Sequence, residues 1–234
     1  MKKFFSPMGL LQSGIAMLLI VLCLFAGQWQ LHKGESRSQQ NGIIRHNLTL
    51  TALTGDETGA IDPIKDQWRQ IALLGNFDST HLLLLRNRYF EGRYGFEVLT
   101  LFRAVSGGNF WVDRGWVMAG AAANIAPKIP PITTQQISIL VRLRADDISR
   151  QIEGSLFALP GTHRSTIDLT SAQGVTANAY YVDLISSKTI NVAPLTPIAL
   201  PELTNGPHFA YALQWLAFAT LILVGRILLF RETQ

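Results

Sequence analysis

The chemistry this sequence can do concentrates at His208. Tyr211 and Trp215 follow three and seven positions later, so on a helix all three share a face. One imidazole with two aromatic rings on an apolar helix is what an axial haem-iron ligand with a flat apolar cradle needs. The same spacing also describes an interfacial capping histidine within an ordinary aromatic belt. A second constellation is Asp113-Arg114-Gly115-Trp116-Val117. Arg114 stands in a strand pattern between Trp111 and Trp116, where a guanidinium needs a carboxylate or a surface. It either closes an ion pair or, with Trp116, marks a partner-docking edge. Gly115 marks a bulge or a close backbone approach. The third is Arg86, Arg88, Arg93 and Arg103 among Tyr89, Phe90, Tyr94 and Phe96. That mixture can hold an acidic partner or a propionate-bearing cofactor. It equally fits an exposed hairpin whose arginines pair with Glu91, Glu97 and Asp113.

Other chemistries have no support. The nucleophile elbow, zinc-protease, phosphate-loop and dinucleotide fingerprints are absent from the sequence. The five histidines lie apart, none paired at metal-ligand spacing. Cys23 is the single cysteine, which excludes an internal disulfide, a paired-cysteine zinc site, a C-x-x-C redox pair and C-x-x-C-H haem attachment, and leaves thiol chemistry a poor candidate. The chain reads as a non-enzyme.

The elements that must position these residues follow from hydropathy. Of 234 residues, 48% are hydrophobic and only 15% charged, against roughly 25% in soluble proteins. Two charge-poor runs account for this. Phe4–Leu31 carries no Lys, Arg, Asp, Glu or His, and Leu203–Gly225 is uncharged apart from His208. Each supplies the ~20 apolar residues that cross a bilayer as a helix. A cleaved leader is disfavoured because Leu24 and Phe25 are bulky where a peptidase wants small residues. Lys2, Lys3, Arg226 and Arg231 against Glu232 leave the tails three of the four formal positive charges. The basic character is thus a topology signal and not a nucleic-acid footprint.

The expected organisation is a cytoplasmic tail over 1–8, a transmembrane helix over 9–29, an outer domain over 30–207, a second transmembrane helix over 208–230 and a cytoplasmic tail over 231–234. Trp29 and Trp215 fall at the outer boundary. The N-terminus has none of the Arg- and Ser-rich character of an organelle import signal, and the expectation is a multi-pass protein of a bacterial inner membrane, its central domain periplasmic. Period-2 patterns predict strands over Leu48–Leu53, His81–Leu85, Phe96–Phe102, Phe110–Met118, Ile137–Arg144 and Ala179–Ile185. Ser106-Gly107-Gly108-Asn109 predicts a hairpin. Ser36–Gly42 reads as a linker, Ile125–Pro131 as a surface connection, and Asp62–Ile71 as a helix entered through Pro63. The expected fold is two transmembrane helices flanking a β-rich (α+β) antiparallel domain, a small barrel or sandwich.

Motifs along the whole chain resemble the Surfeit-locus (Shy-type) family of cytochrome oxidase biogenesis proteins. They are Gly27-Gln28-Trp29-Gln30-Leu31, then Gly75-Asn76-Phe77 and Arg86, then Gly95-Phe96-Glu97-Val98-Leu99-Thr100. Val112-Asp113-Arg114-Gly115-Trp116-Val117 follows, and last Asn205 with His208–Trp215. Pro207 and His32-Lys33 depart from the family pattern. The resemblance implies an assembly factor for haem–copper oxidase that binds haem A and helps its insertion into the catalytic subunit. Haem A synthase and membrane lipid are the further partners. It carries the implied iron ligand to His208. The residues themselves place Tyr211, Trp215, Trp29 and Gln28 around the ring, by helix spacing and depth, and partner docking at Arg114, Trp116 and Arg86. The alternative is a scaffold that stabilises an oxidase intermediate without a cofactor.

Overall fold

The computed structural model describes residues 7–120, 127–144, 174–178, 180–188, 192 and 194–232, the side chains of Arg86, Asn87 and Glu232 excepted. The described residues form two compact units: Met1–Gly42 with Glu202–Gln234, and Ile43–Pro201.

The first unit holds α1 (Pro7–Thr49), which continues into the second unit, and α2 (His208–Glu232). Both are long and apolar enough to cross a membrane. The polar stretch Ser36–Gly42, expected as a linker, is helical, so α1 runs well past its apolar part. Glu35, Arg37, Gln39 and Gln40 are good helix formers. Asn41 and Arg37 also gain distant partners, both donating to the Thr204 carbonyl (3.1 and 3.0 Å). The strand expected over Leu48–Leu53 is displaced for the same reason: α1 ends at Thr49.

The second unit carries β1 (Leu53–Thr54), β2 (Gln70–Phe90), β3 (Arg93–Ala104), β4 (Asn109–Met118), β5 (Ile137–Arg144) and β6 (Tyr181–Ser187). They make one sheet in the order β1-β2-β3-β4-β6-β5. β2 pairs with both β3 and β5, so the sheet closes into a barrel. Gly75 is the hinge of closure: it stands opposite Ala104 on one side and Ile137 on the other. A Cβ there would overlap the Arg103 carbonyl, so the close approach requires glycine. The Ser106–Asn109 hairpin forms as expected, with Gly107 and Gly108 at positive φ. The expected strands after residue 80 are present, with Ala179 outside the described residues. Contrary to expectation the sheet is not wholly antiparallel, since β1 runs parallel to β2 and β4 to β6.

The helix expected over Asp62–Ile71 is absent. Asp62 caps a turn by accepting from the Ile64 and Lys65 amides. Pairing to β5 then wins: Trp68 N–H donates to the Leu143 carbonyl (2.7 Å) and Leu143 N–H to the Arg69 carbonyl (2.9 Å). Trp68 adopts φ 67° to make this turn, a strain of ~1–3 kcal/mol that its surroundings must hold.

One face of the sheet buries Leu53, Ile71, Phe102, Phe110, Ile139 and Val182, with companions from all six strands. Only the interior of a closed sheet collects side chains from every strand, and burying each contributes roughly 1.5–3 kcal/mol. The opposite face is also buried. Leu83, Leu99, Leu101 and Trp111 lie there with Tyr181.

Candidate functional site

Along α1 the buried or half-buried positions Gly9, Ser13, Ala16, Ile20, Cys23, Gly27, Gln30 and Gly34 alternate in steps of four and three. On α2 the same rhythm picks out His208, Ala212, Trp215, Ala219, Ile222 and Arg226. A 3.5-residue period is the seam of two helices wrapped left-handedly. Small residues set their approach: Gly27 leaves room for the Trp215 Cβ and the Ala212 carbonyl, and Gly34 for the Phe209 ring. Arg226 closes the far end by donating to the Gly9 carbonyl (3.0 Å) and Ser13 Oγ (2.8 Å).

His208 lies at the other end of this seam. Its Nδ1 stands 2.9 Å from Gln30 Oε1. With the amide oxygen as acceptor, the neutral ring carries its hydrogen on Nδ1, and Nε2 is then the nitrogen with the lone pair. Gly206, at φ 63°, brings no side chain against the Cδ2–Nε2 edge. Trp215 is half-buried and meets Phe218 edge-on (5.8 Å). Tyr211 (47% exposed) and Trp29 (57%) point away from the seam, as does exposed Gln28. The structure therefore joins His208 to Gln30. The signal for Gln30 was present: it continues the seven-residue series Gly9, Ala16, Cys23 as its polar member.

In the barrel, Arg114 is buried (4% exposed), and its guanidinium donates to the Pro130 carbonyl (2.9 Å). Burial pushes its pKa below the ordinary value. The backbone on either side pairs with the segment before α2: Leu195 N–H donates to the Arg114 carbonyl (2.7 Å) and Trp116 N–H to the Thr196 carbonyl (3.2 Å). Trp116 Nε1 donates to the Arg88 carbonyl (3.2 Å), and its ring meets Phe90 at 5.6 Å. Trp116 also edges an open groove of ≈ 570 Å³ with Met118, Lys128 and Leu195. The side chain of Arg86 lies outside the described residues. Its neighbours are ion-paired: Arg88 with Glu97 (2.8 Å), Arg93 with Glu91 (3.3 Å), Arg103 with Asp78 (2.7 Å). Because Arg114 bonds a carbonyl, its loss orphans no carboxylate. Arg114→Ala is expected to lower the unfolding free energy measured in urea by only about 1–2 kcal/mol, with Arg114→Met closer to wild type. A loss above ~4 kcal/mol would require an ionic partner.

A charged cluster unmarked by local pattern occupies the barrel's outer face. Asp183 (1% exposed) accepts from Arg142 (3.0 Å) and Arg144 (3.3 Å). Both guanidinium groups lie over the Trp68 ring, at 4.7 and 4.8 Å. Arg142 also donates to the Ile198 carbonyl (3.1 Å). Asp113 (1% exposed) stands directly across from Asp183. Its Oδ1 accepts from the Gly115 amide (2.8 Å), and its Oδ2 has no hydrogen-bond partner among the described residues. Desolvation, and then the charges of Glu97 and Asp183, push Asp113 well above the usual carboxylate range. Among the described residues no three metal-ligating side chains gather.

Residues 17–220 match the SURF1 family. Two uncharacterized SURF1-like proteins, one from Mycobacterium bovis and one from Mycobacterium tuberculosis, are each 29% identical to the chain. The matches cover 92% of this chain and 83% of each relative.

Proposed function

Because the chain belongs to the SURF1 family, we propose that it serves cytochrome oxidase assembly by holding haem A at His208 for delivery to the oxidase catalytic subunit. Membership itself implies a role in cytochrome oxidase assembly, and the family is one of assembly factors. The finer reading rests on one observation, the Nδ1–Gln30 contact of 2.9 Å. An imidazole whose Nδ1 hydrogen is held by a carbonyl-type oxygen presents Nε2 as a ligand in a fixed orientation, the usual arrangement behind a metal-bound histidine. Gly206 leaves that edge without a side chain, so the residues present fit an iron ligand. Haem A supplies an iron that takes imidazole nitrogen, propionates that need polar surroundings and a long tail soluble in hydrocarbon. Gln30 fixes the ring of His208. Trp215 lies close against Gly27 of α1, beside the ring. Tyr211, Trp29 and Gln28, on the outward faces of the two helices, offer aromatic and amide surface outside the seam, and the ligand role does not rest on them.

In this reading α1 and α2 cross a bacterial inner membrane with both termini cytoplasmic and the barrel periplasmic. The apolar spans and the positive tails support it. Haem A synthase is the source of the cargo and membrane lipid the solvent of the helix pair.

The test is the visible spectrum of detergent-purified protein co-expressed with haem A synthesis. His208→Ala is expected to abolish or shift the haem absorption while the protein still inserts, since one interfacial imidazole contributes little to spanning. His32→Ala, on the exposed side of α1, is expected to match wild type. Unchanged haem content in His208→Ala rejects the ligand and leaves the scaffold reading, in which the helix pair holds an oxidase intermediate without cargo.

A further inference from the structure

The ring of strands has one short joint. Among the described residues β4 and β6 pair through Trp111 opposite Tyr181, Val112 opposite Val182 and Asp113 opposite Asp183, and Asn109 extends the joint by accepting from the Asn178 amide (3.0 Å) and donating to the Thr176 carbonyl (2.7 Å). Every other pairing that closes the barrel is longer. Parallel neighbours stand about 5 Å apart with side chains on the same face, so the last pair of this joint sets two buried carboxyl groups side by side. We propose that the β4–β6 joint is a proton-dependent latch: closed while Asp113 holds a proton, and opened when Asp113 and Asp183 are both charged.

The surroundings decide which acid holds the proton. From β5, Arg142 and Arg144 both bond Asp183. From β3, Glu97 faces the pair but is engaged by Arg88 of β2 (2.8 Å). From β6, Tyr181 adds a buried hydroxyl with no hydrogen-bond partner among the described residues. From β4 itself, Asp113 receives only the Gly115 amide on Oδ1. Asp183 has two guanidinium partners, whereas Asp113 has none within hydrogen-bonding reach among the described residues; the charge of Arg144 also reaches Asp113, but burial and the Glu97 and Asp183 carboxylates outweigh it, so Asp113 takes the proton. Two like charges at this distance in a dry site cannot both persist without separation or water entry. The pairing with the least backbone to break is the one beside them.

The sign follows from linkage. The closed joint binds one more proton than the open one above the ordinary aspartate pKa. Its stability is therefore greatest at low pH and is lost as pH rises through the elevated range of Asp113.

Amide hydrogen exchange of the full chain in detergent micelles, corrected for intrinsic rates, reads the latch between pH 5 and 9. Protection of peptides spanning 109–118 and 181–187 is expected to fall by up to about tenfold per pH unit, while 93–104 stays flat. Asp113→Asn keeps an oxygen for the Gly115 amide and removes the charge, so its protection is expected to be high and independent of pH. Infrared difference spectra give a second readout: a protonated carboxyl band present in wild type near neutral pH, lost on raising pH and missing in Asp113→Asn. Identical pH profiles for wild type and variant, protection lost evenly around the barrel, or no protonated carboxyl band would each overturn the latch.

Discussion

Replacing Asp183 by leucine is expected to lower the stability of the barrel by about 3–5 kcal/mol, the usual consequence of removing one partner from a buried ion pair. Asp183 is the only carboxylate that hydrogen-bonds Arg142 among the described residues, at 3.0 Å, and it also accepts from Arg144 at 3.3 Å. Both guanidinium groups are stacked on Trp68 and cannot follow a missing partner into water without giving up that ring. Cation–π contact and the Ile198 carbonyl would remain to Arg142, but neither neutralises its charge. Relief of repulsion at Asp113 offsets a little of the loss. Chemical denaturation followed by near-ultraviolet dichroism would measure it. The double variant Arg142→Met with Asp183→Leu is expected to recover a large part, because an apolar pair of similar volume can replace a buried ionic one. A single variant within 1 kcal/mol of wild type would mean that the cluster is hydrated and screened.

That cluster also marks where the sequence stopped being readable. The alternation Ile137, Ile139, Val141, Leu143 located β5 to the residue and assigned Arg142 and Arg144 to the opposite face, which was correct. Alternation alone implies that such a face is wet. Here the opposite face is covered, and the carboxylate that permits this lies 41 positions away in β6. No local pattern encodes a partner at that distance. The hairpin at Ser106–Asn109 was legible because its two glycines are a backbone requirement written locally. The helix expected over Asp62–Ile71 failed for the converse reason: its capping aspartate was real, but pairing of Trp68 and Arg69 to Leu143 outweighed it. At the helix pair, apolar runs gave the spans and His208 itself. Gln30 became significant only through the seam, whose 3.5-residue rhythm lies in the spacing of small and polar residues, not in mean hydropathy.

Gly115→Val is expected to lose more than about 3 kcal/mol and to lower the yield of folded protein, because backbone strain and backbone overlap act at this one position. Gly115 adopts φ 110°, where a β-branched residue is strained by ~1–3 kcal/mol. Added atoms would also meet backbone: a Cβ would overlap the Thr196 carbonyl and press on the Thr196 nitrogen. A backbone neighbour cannot rotate aside as a side chain can. The 195–196 segment would have to lift from β4, breaking the Leu195–Arg114 and Trp116–Thr196 hydrogen bonds, each contributing ~0.5–1.5 kcal/mol. The Gly115 amide bonded to Asp113 Oδ1 would be displaced with them. Gly92 separates strain from overlap, since it also has positive φ (74°) but faces open space. Gly92→Ala is expected to cost about 1 kcal/mol, and Gly115→Ala clearly more. Equal midpoints for the two alanine variants in the same denaturant series would show that the approach of Thr196 is not what holds glycine in the Asp-Arg-Gly-Trp motif.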